Sequence, residues 1–171
     1  MTCWDCKIGF LSLTAQNMDL IFWRHAEAVD PTDGQADNDR PLSARGERQA
    51  LRMSKWLERQ LPESAKIICC PTMRAEQTVY PLGRKYKCRD ELSPNALPTD
   101  VLKLVNWPIN KQTILLVSHQ PLIGQLISQL LGIHTHELSI KKGSVWWLRG
   151  KTTVDGLVQV NLVTVQTPDM L

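Results

Sequence analysis

Two short apolar runs in this chain each end abruptly in a histidine. Asp19-Leu20-Ile21-Phe22-Trp23 runs into Arg24-His25, and Thr113-Ile114-Leu115-Leu116-Val117-Ser118 runs into His119. Runs of this length, with β-branched and aromatic residues, suit strands buried in a sheet. In open α/β sheets, ligands bind beyond the carboxyl ends of the strands. If the two strands are parallel neighbours, both imidazoles stand at one such rim.

The segments between and after these runs supply helices. After His25 the stretch Val29–Arg40 is polar, with turn signals at Asp30-Pro31, Asp33-Gly34 and Asn38-Asp39. Ser43 is a good N-cap and Glu47 favours the first turn of a helix with Ala50, Met53, Leu57 and Leu61 on its apolar face. Pro62 stops that pattern. Lys66–Cys70 reads as the second strand. Pro71–Thr78 opens the next helix, which Pro81 kinks or ends. A short strand is expected near Tyr86–Cys88, and Thr99 is expected to cap a helix carrying Val101, Leu102, Leu104 and Val105. Gln120-Pro121 starts a helix whose first position is Pro121, and Gly132 ends it. Ser144–Leu148 and Leu157–Val163 complete the sheet, the latter as an edge strand. Strand–helix alternation of this kind gives an α/β fold with a mostly parallel sheet.

At 171 residues the chain suffices for one domain with a substantial core. Residues 1–17 read as an N-terminal extension to a single domain spanning 18–171. A short apolar stretch, Ile8–Leu13, is too weak for a secretory signal, and no run approaches a membrane span. The net charge of +3 suits an anionic substrate but not nucleic acid. Neither a membrane nor a nucleic acid is therefore expected as partner. The five cysteines are odd in number and irregular in spacing, which points to a reducing cytoplasm. Cys3-x-x-Cys6 lacks the second half of a zinc site.

Arg24, His25, Arg74 and His119 are the residues able to bind a phosphoryl group together. Singly, each has an ordinary structural reading: Arg24-His25 as a salt-bridged strand end, His119 as a satisfied core histidine. His134 and His136 read as solvated loop residues. Arg74 is unusual, because the positive end of a helix disfavours a cation. An anionic ligand resolves that conflict; so does Glu76 or a solvated side chain. Two guanidinium forks, two imidazoles and a helix N-terminus match a tetrahedral anion.

The blocks Arg24-His25-Ala26-Glu27-Ala28, Arg40-Pro41-Leu42-Ser43 with Gly46, Pro71-Thr72-Met73-Arg74-Ala75-Glu76-Gln77-Thr78, Glu91-Leu92 and Val117-Ser118-His119-Gln120-Pro121-Leu122 run in an order that resembles the histidine phosphatase superfamily, also called phosphoglycerate mutase-like. Within it the likeness is to small bacterial phosphohistidine phosphatases of the SixA type. The resemblance implies a three-layer α/β sandwich with helices on both faces of the sheet and no cap domain. It implies His25 as a nucleophile that becomes a phosphohistidine, with Arg24, Arg74, His119 and Arg40 binding phosphate. Glu91 is the implied general acid, though a solvated loop carboxylate is the competing reading. No metal or cofactor is implied. Ala26 stands where the broader family has glycine, and Cys70 where it usually has serine; Thr72 is then expected to cap the second helix.

The expected activity is hydrolysis of phosphohistidine on a signalling or carrier protein, since short connections leave the pocket open. A small phosphate ester is the alternative substrate, and an inactive phospho-binding module the alternative class.

Overall fold

Every residue of the strand Ile114–Ser118 is buried, and Leu20–Trp23 are wholly inaccessible. Strands buried on both faces need a layer of helices on each side. A computed structural model of the chain supplies both layers. It describes residues 17–134, 138–153, 155 and 157–171. The expected extension, apart from Asn17, lies outside the described residues, as does His136.

The strands are β1 (Asn17–Arg24), β2 (Lys66–Cys69), β3 (Lys87–Cys88), β4 (Ile114–Ser118), β5 (Val145–Thr152) and β6 (Val158–Gln166), in the sheet order β3-β2-β4-β1-β5-β6. The first four of that order are parallel; β5 and β6 are antiparallel additions. The sheet is thus mostly parallel, with β6 at the edge, as expected. The helices are α1 (Ala44–Gln60), α2 (Met73–Val79), α3 (Pro98–Leu104) and α4 (Leu122–Leu131). α1 packs with α2 and α3 with α4, giving the two helical layers.

Local chemistry explains the boundaries. Ser43 Oγ accepts from Gly46 N at 3.0 Å, capping α1, and Ala50, Met53 and Leu57 are buried. α2 stops at Val79, before the short 3-10 turn Tyr80–Leu82 that contains Pro81, and Gly83 closes it with φ of 68°. Gly132, at φ 65°, ends α4.

Three expected helix starts are corrected. Thr72 occupies the N-cap position of α2 in extended conformation, but its buried hydroxyl makes no capping bond. Thr99 lies within the first turn of α3, because Pro98 takes the first helical position, where its missing N–H costs nothing. Pro121 stands just before α4, and Gln120 does the capping: its Oε1 accepts from Gly124 N at 2.9 Å while its Nε2 donates to Leu138 O at 2.7 Å.

Cross-strand chemistry fixes β5 on β1. Asp19 and Arg149 are register partners and form a two-bond ion pair at 2.6 and 2.8 Å. Trp107 lies so close to Gly150 that a β-carbon there would fall 2.3 Å from the indole.

Candidate active site

The site is assembled by the β1–β4 ladder. Arg24 pairs in register with Ser118, and His25 N donates to Ser118 O at 2.9 Å. His25 and His119 therefore leave adjacent parallel strands at the same rim. β2 joins the other side of β4 through Cys70 N to Val117 O at 2.9 Å, which delivers Pro71, Thr72 and the first turn of α2 to that rim. Arg74 stands in this turn and is buried.

His25 is 8% exposed, and its Nδ1 lies 2.7 Å from Ala26 O. A carbonyl oxygen can only accept, so Nδ1 carries the proton. Burial pushes the His25 pKa down to about 3, and the Arg74, Arg24 and His119 charges act in the same direction, against the Ala26 carbonyl. The imidazole is neutral at physiological pH, and its lone pair is on Nε2. Among the described residues that atom has no hydrogen-bond partner, and it is not sealed from solvent. Ala26 N donates to Thr78 Oγ1 at 3.0 Å, fixing the backbone behind the ring.

His119 is also buried, and burial followed by the Arg74 charge lowers its pKa to about 4. Neither ring nitrogen makes a well-formed hydrogen bond, although the Ser93 backbone lies near enough to oppose the shift, and Arg24 Nε is likewise buried and unbonded. Buried polar atoms normally find partners, so Arg24 Nε and the ring N–H of His119 mark a place where ligand oxygens would complete the bonding. Arg24 also donates through Nη1 to Ile140 O. Trp23 Nε1 donates to Gly143 O at 3.1 Å, and Gly143 N to His25 O at 3.0 Å. The turn before β5 is thereby tied to both ends of the Trp23–His25 tripeptide.

Asp37, which the sequence does not single out, resolves the conflict over Arg74. Arg74 donates to its carboxylate at 2.8 Å and to its backbone carbonyl. Glu76 instead accepts from the Tyr86 hydroxyl at 3.3 Å. Burying a guanidinium with an opposite charge is far less costly than burying it alone. Arg40 holds the Asp37 carboxylate and keeps it below the usual carboxylate range, with Arg74 adding to the effect.

Arg40 is expected among the phosphate ligands; three of its five N–H donors have other partners. Nε and Nη2 both go to Val29 O, at 3.0 and 2.8 Å, and Nη1 goes to Asp37 at 2.8 Å. It organises the loop that carries Asp37.

Glu91 lies on the 3-10 turn Asp90–Leu92 and is partly buried, with no ion pair among the described residues. Ser118 Oγ donates to Leu92 O at 2.8 Å, so this turn hangs from the residue preceding His119. Glu27 is occupied structurally: it accepts from Ser43 Oγ at 2.8 Å and lies 3.6 Å from Arg45. His134 is exposed. Among the described residues no group of His, Cys, Asp and Glu could hold a metal ion. Nor is any helix there long and apolar enough to cross a membrane.

A mostly parallel α/β sheet with two buried histidines and two arginines at one rim defines a phosphoryl-handling protein of the phosphoglycerate mutase-like class. The model of the histidine phosphatase superfamily (branch 1) matches residues 20–95, a stretch that contains His25, Arg74 and Glu91. The chain is 30% identical over 121 residues to the phosphohistidine phosphatase SixA of Escherichia coli, covering 66% of this chain and 74% of that protein. It is 37% identical over 112 residues to an uncharacterised protein of Mycobacterium tuberculosis, covering 64% and 70%. Among solved structures, that of the protein histidine phosphatase SixA complexed with tungstate superposes with a TM-score of 0.69 at 22% identity, covering 90% of this chain and 99% of that one. The chain belongs to the histidine phosphatase superfamily and is SixA-like; it is a phosphatase.

Proposed function

We propose that the chain is a phosphohistidine phosphatase that works through a covalent phosphohistidine on His25 and acts on a phosphorylated signalling or carrier protein. The observation that supports this most directly is the His25 tautomer. Nδ1 is committed to Ala26 O and the ring is held neutral, so a nucleophilic nitrogen, Nε2, is free at the rim.

In this reading Nε2 attacks phosphorus, and the bond from phosphorus to the leaving nitrogen breaks. Arg24, Arg74 and His119 bind the equatorial oxygens as charge redistributes. The leaving imidazole has an ordinary pKa near 6.5, so it departs protonated without a strong acid. Glu91 supplies the proton where the leaving group is an alkoxide. Water then attacks the phosphorus on His25, releasing phosphate and restoring Nε2. The SixA likeness supports a histidine-borne phosphoryl group as substrate.

Turnover of a phosphohistidine protein by the wild type and its loss in His25→Ala test the proposal; full activity in that variant would end it. Brief turnover with ³²P-labelled substrate should leave acid-labile label on His25. Its complete absence during active turnover would exclude the covalent route. Comparing kcat/KM for phosphohistidine and sugar phosphates separates a protein phosphatase from a small-molecule phosphomonoesterase. No turnover of either would leave only a phospho-binding module.

A further inference from the structure

The 17-residue helix α1 carries Arg45, Arg48, Arg52, Lys55 and Arg59, and all five are exposed. At 100° per residue they fall within an arc of about 80° and span about 21 Å of helix. They lie opposite the buried face formed by Gly46, Ala50, Met53, Ser54 and Leu57. No acidic residue interrupts the stripe; Glu47 and Glu58 stand to one side of it.

Like charges three and four positions apart on a helix repel and destabilise it. The stripe contains four such neighbouring pairs. A merely solvated face ordinarily alternates its signs. Among the described residues, Arg48, Arg52, Lys55 and Arg59 have no carboxylate within 4.0 Å; Arg45 alone lies near one, Glu27 at 3.6 Å.

The stripe begins at the catalytic rim. Glu27 is two residues beyond His25, and Gln49 Oε1 accepts from Glu27 N at 3.0 Å. The exposed Lys141 and Lys142 add to it there, since a β-carbon on Gly143 would lie 3.4 Å from Gln49. Between α1 and the C-terminal turn is a cleft of about 210 Å³ lined by Arg45, Arg48, Gln49, Arg52, Pro168 and Asp169. Asp169 is its one acid.

We infer that this basic face, running from the pocket mouth along α1, docks an acidic surface of the phosphohistidine-bearing protein. The inference rests on the proposed function and names the chemistry of its partner. The basic stripe calls for an acidic partner, and two features favour a protein over a nucleic acid. The whole chain is only +3, and Trp56, the aromatic residue angularly nearest the stripe, packs against the core rather than offering a stacking surface.

The test uses three substrates: a phosphohistidine peptide extended by alternating Glu and Ala, the same peptide with Gln for Glu, and free phosphohistidine. They are assayed with wild type and with Arg48→Glu/Arg52→Glu/Lys55→Glu. The variant should raise KM for the Glu peptide about ten-fold with kcat unchanged, leaving the other two substrates unaffected. Added salt should have the same effect on the wild type. Equal KM for the Glu and Gln peptides in the wild type, or an unchanged KM in the variant, overturns the inference. So does an RNA oligonucleotide that inhibits the wild type more strongly than the dephosphorylated Glu peptide. If the wild type hydrolyses p-nitrophenyl phosphate but none of the three, the phosphohistidine reading fails by itself. Fluorescence anisotropy of the dephosphorylated Glu peptide then decides the surface: binding lost in the variant retains it, and no binding to the wild type removes it.

Discussion

The two carboxylate oxygens of Asp37 each hold one arginine at 2.8 Å: one the buried Arg74 of α2, the other Arg40 of its own loop. On the proposed function, a phosphoryl group that reached Arg74 would meet a carboxylate already there. Asp37→Asn removes that competitor's charge. Inorganic phosphate should then inhibit about two- to five-fold more tightly, the range set by a pair whose acid is half exposed. Inhibition constants for phosphate in the two proteins check this. Weaker inhibition in the variant would show that Asp37 assists binding by holding Arg74 in place.

Both site histidines have pKa values below the ordinary 6.5, at about 3 and about 4. The unfolded chain therefore binds more protons than the folded one at pH values below about 6.5. Stability should be independent of these groups above that pH and fall as pH drops from about 6.5 towards 3. Urea unfolding at pH 7 and at pH 4.5 should show a smaller loss for His25→Asn than for the wild type. By the same values, kcat/KM should show no acid limb near pH 6.5 from His25.

Gly46 is fixed by close approach rather than by backbone angle. A β-carbon there would fall 1.9 Å from Glu27 O, a backbone atom two residues past His25. Gly46→Ala should cost about 1–3 kcal/mol by overpacking. Thermal denaturation should show Tm lowered by about 2–12 °C. Activity should fall at temperatures where the variant is still folded, because the loop behind His25 must move.

Gln120→Ala leaves Gly124 N and Leu138 O without their partners. Loss of this cap should cost about 1–2 kcal/mol, read from the midpoint of chemical unfolding. Gln120→Glu keeps the acceptor for Gly124 N and should recover part of the loss.

The frame of the molecule could be read from the chain because its strong signals are local. β1 and β4 declare themselves by length and apolarity, and α1 by its Ser43 cap and 3.6-residue period. The site was legible in so far as it sits where those strands end. Asp37 was not, since it lies among Asp30, Asp33 and Asp39 in a turn-rich stretch and meets Arg74 only because the chain folds back over 37 positions. Arg40 reads as an anion ligand for the reason any arginine in such a block does; the Val29 carbonyl that takes two of its donors has no signature in sequence. Gln120 was hidden behind Pro121, the more familiar helix starter.

The single backbone bond from His25 N to Ser118 O makes the β1–β4 ladder a gauge. Neighbouring strands keep a separation of about 4.8 Å whatever side chains they bear. The origins of the two imidazoles are therefore spaced by main-chain hydrogen bonding alone. Changes of sequence can widen the mouth or alter its charge, while the two histidine backbones stay the same distance apart.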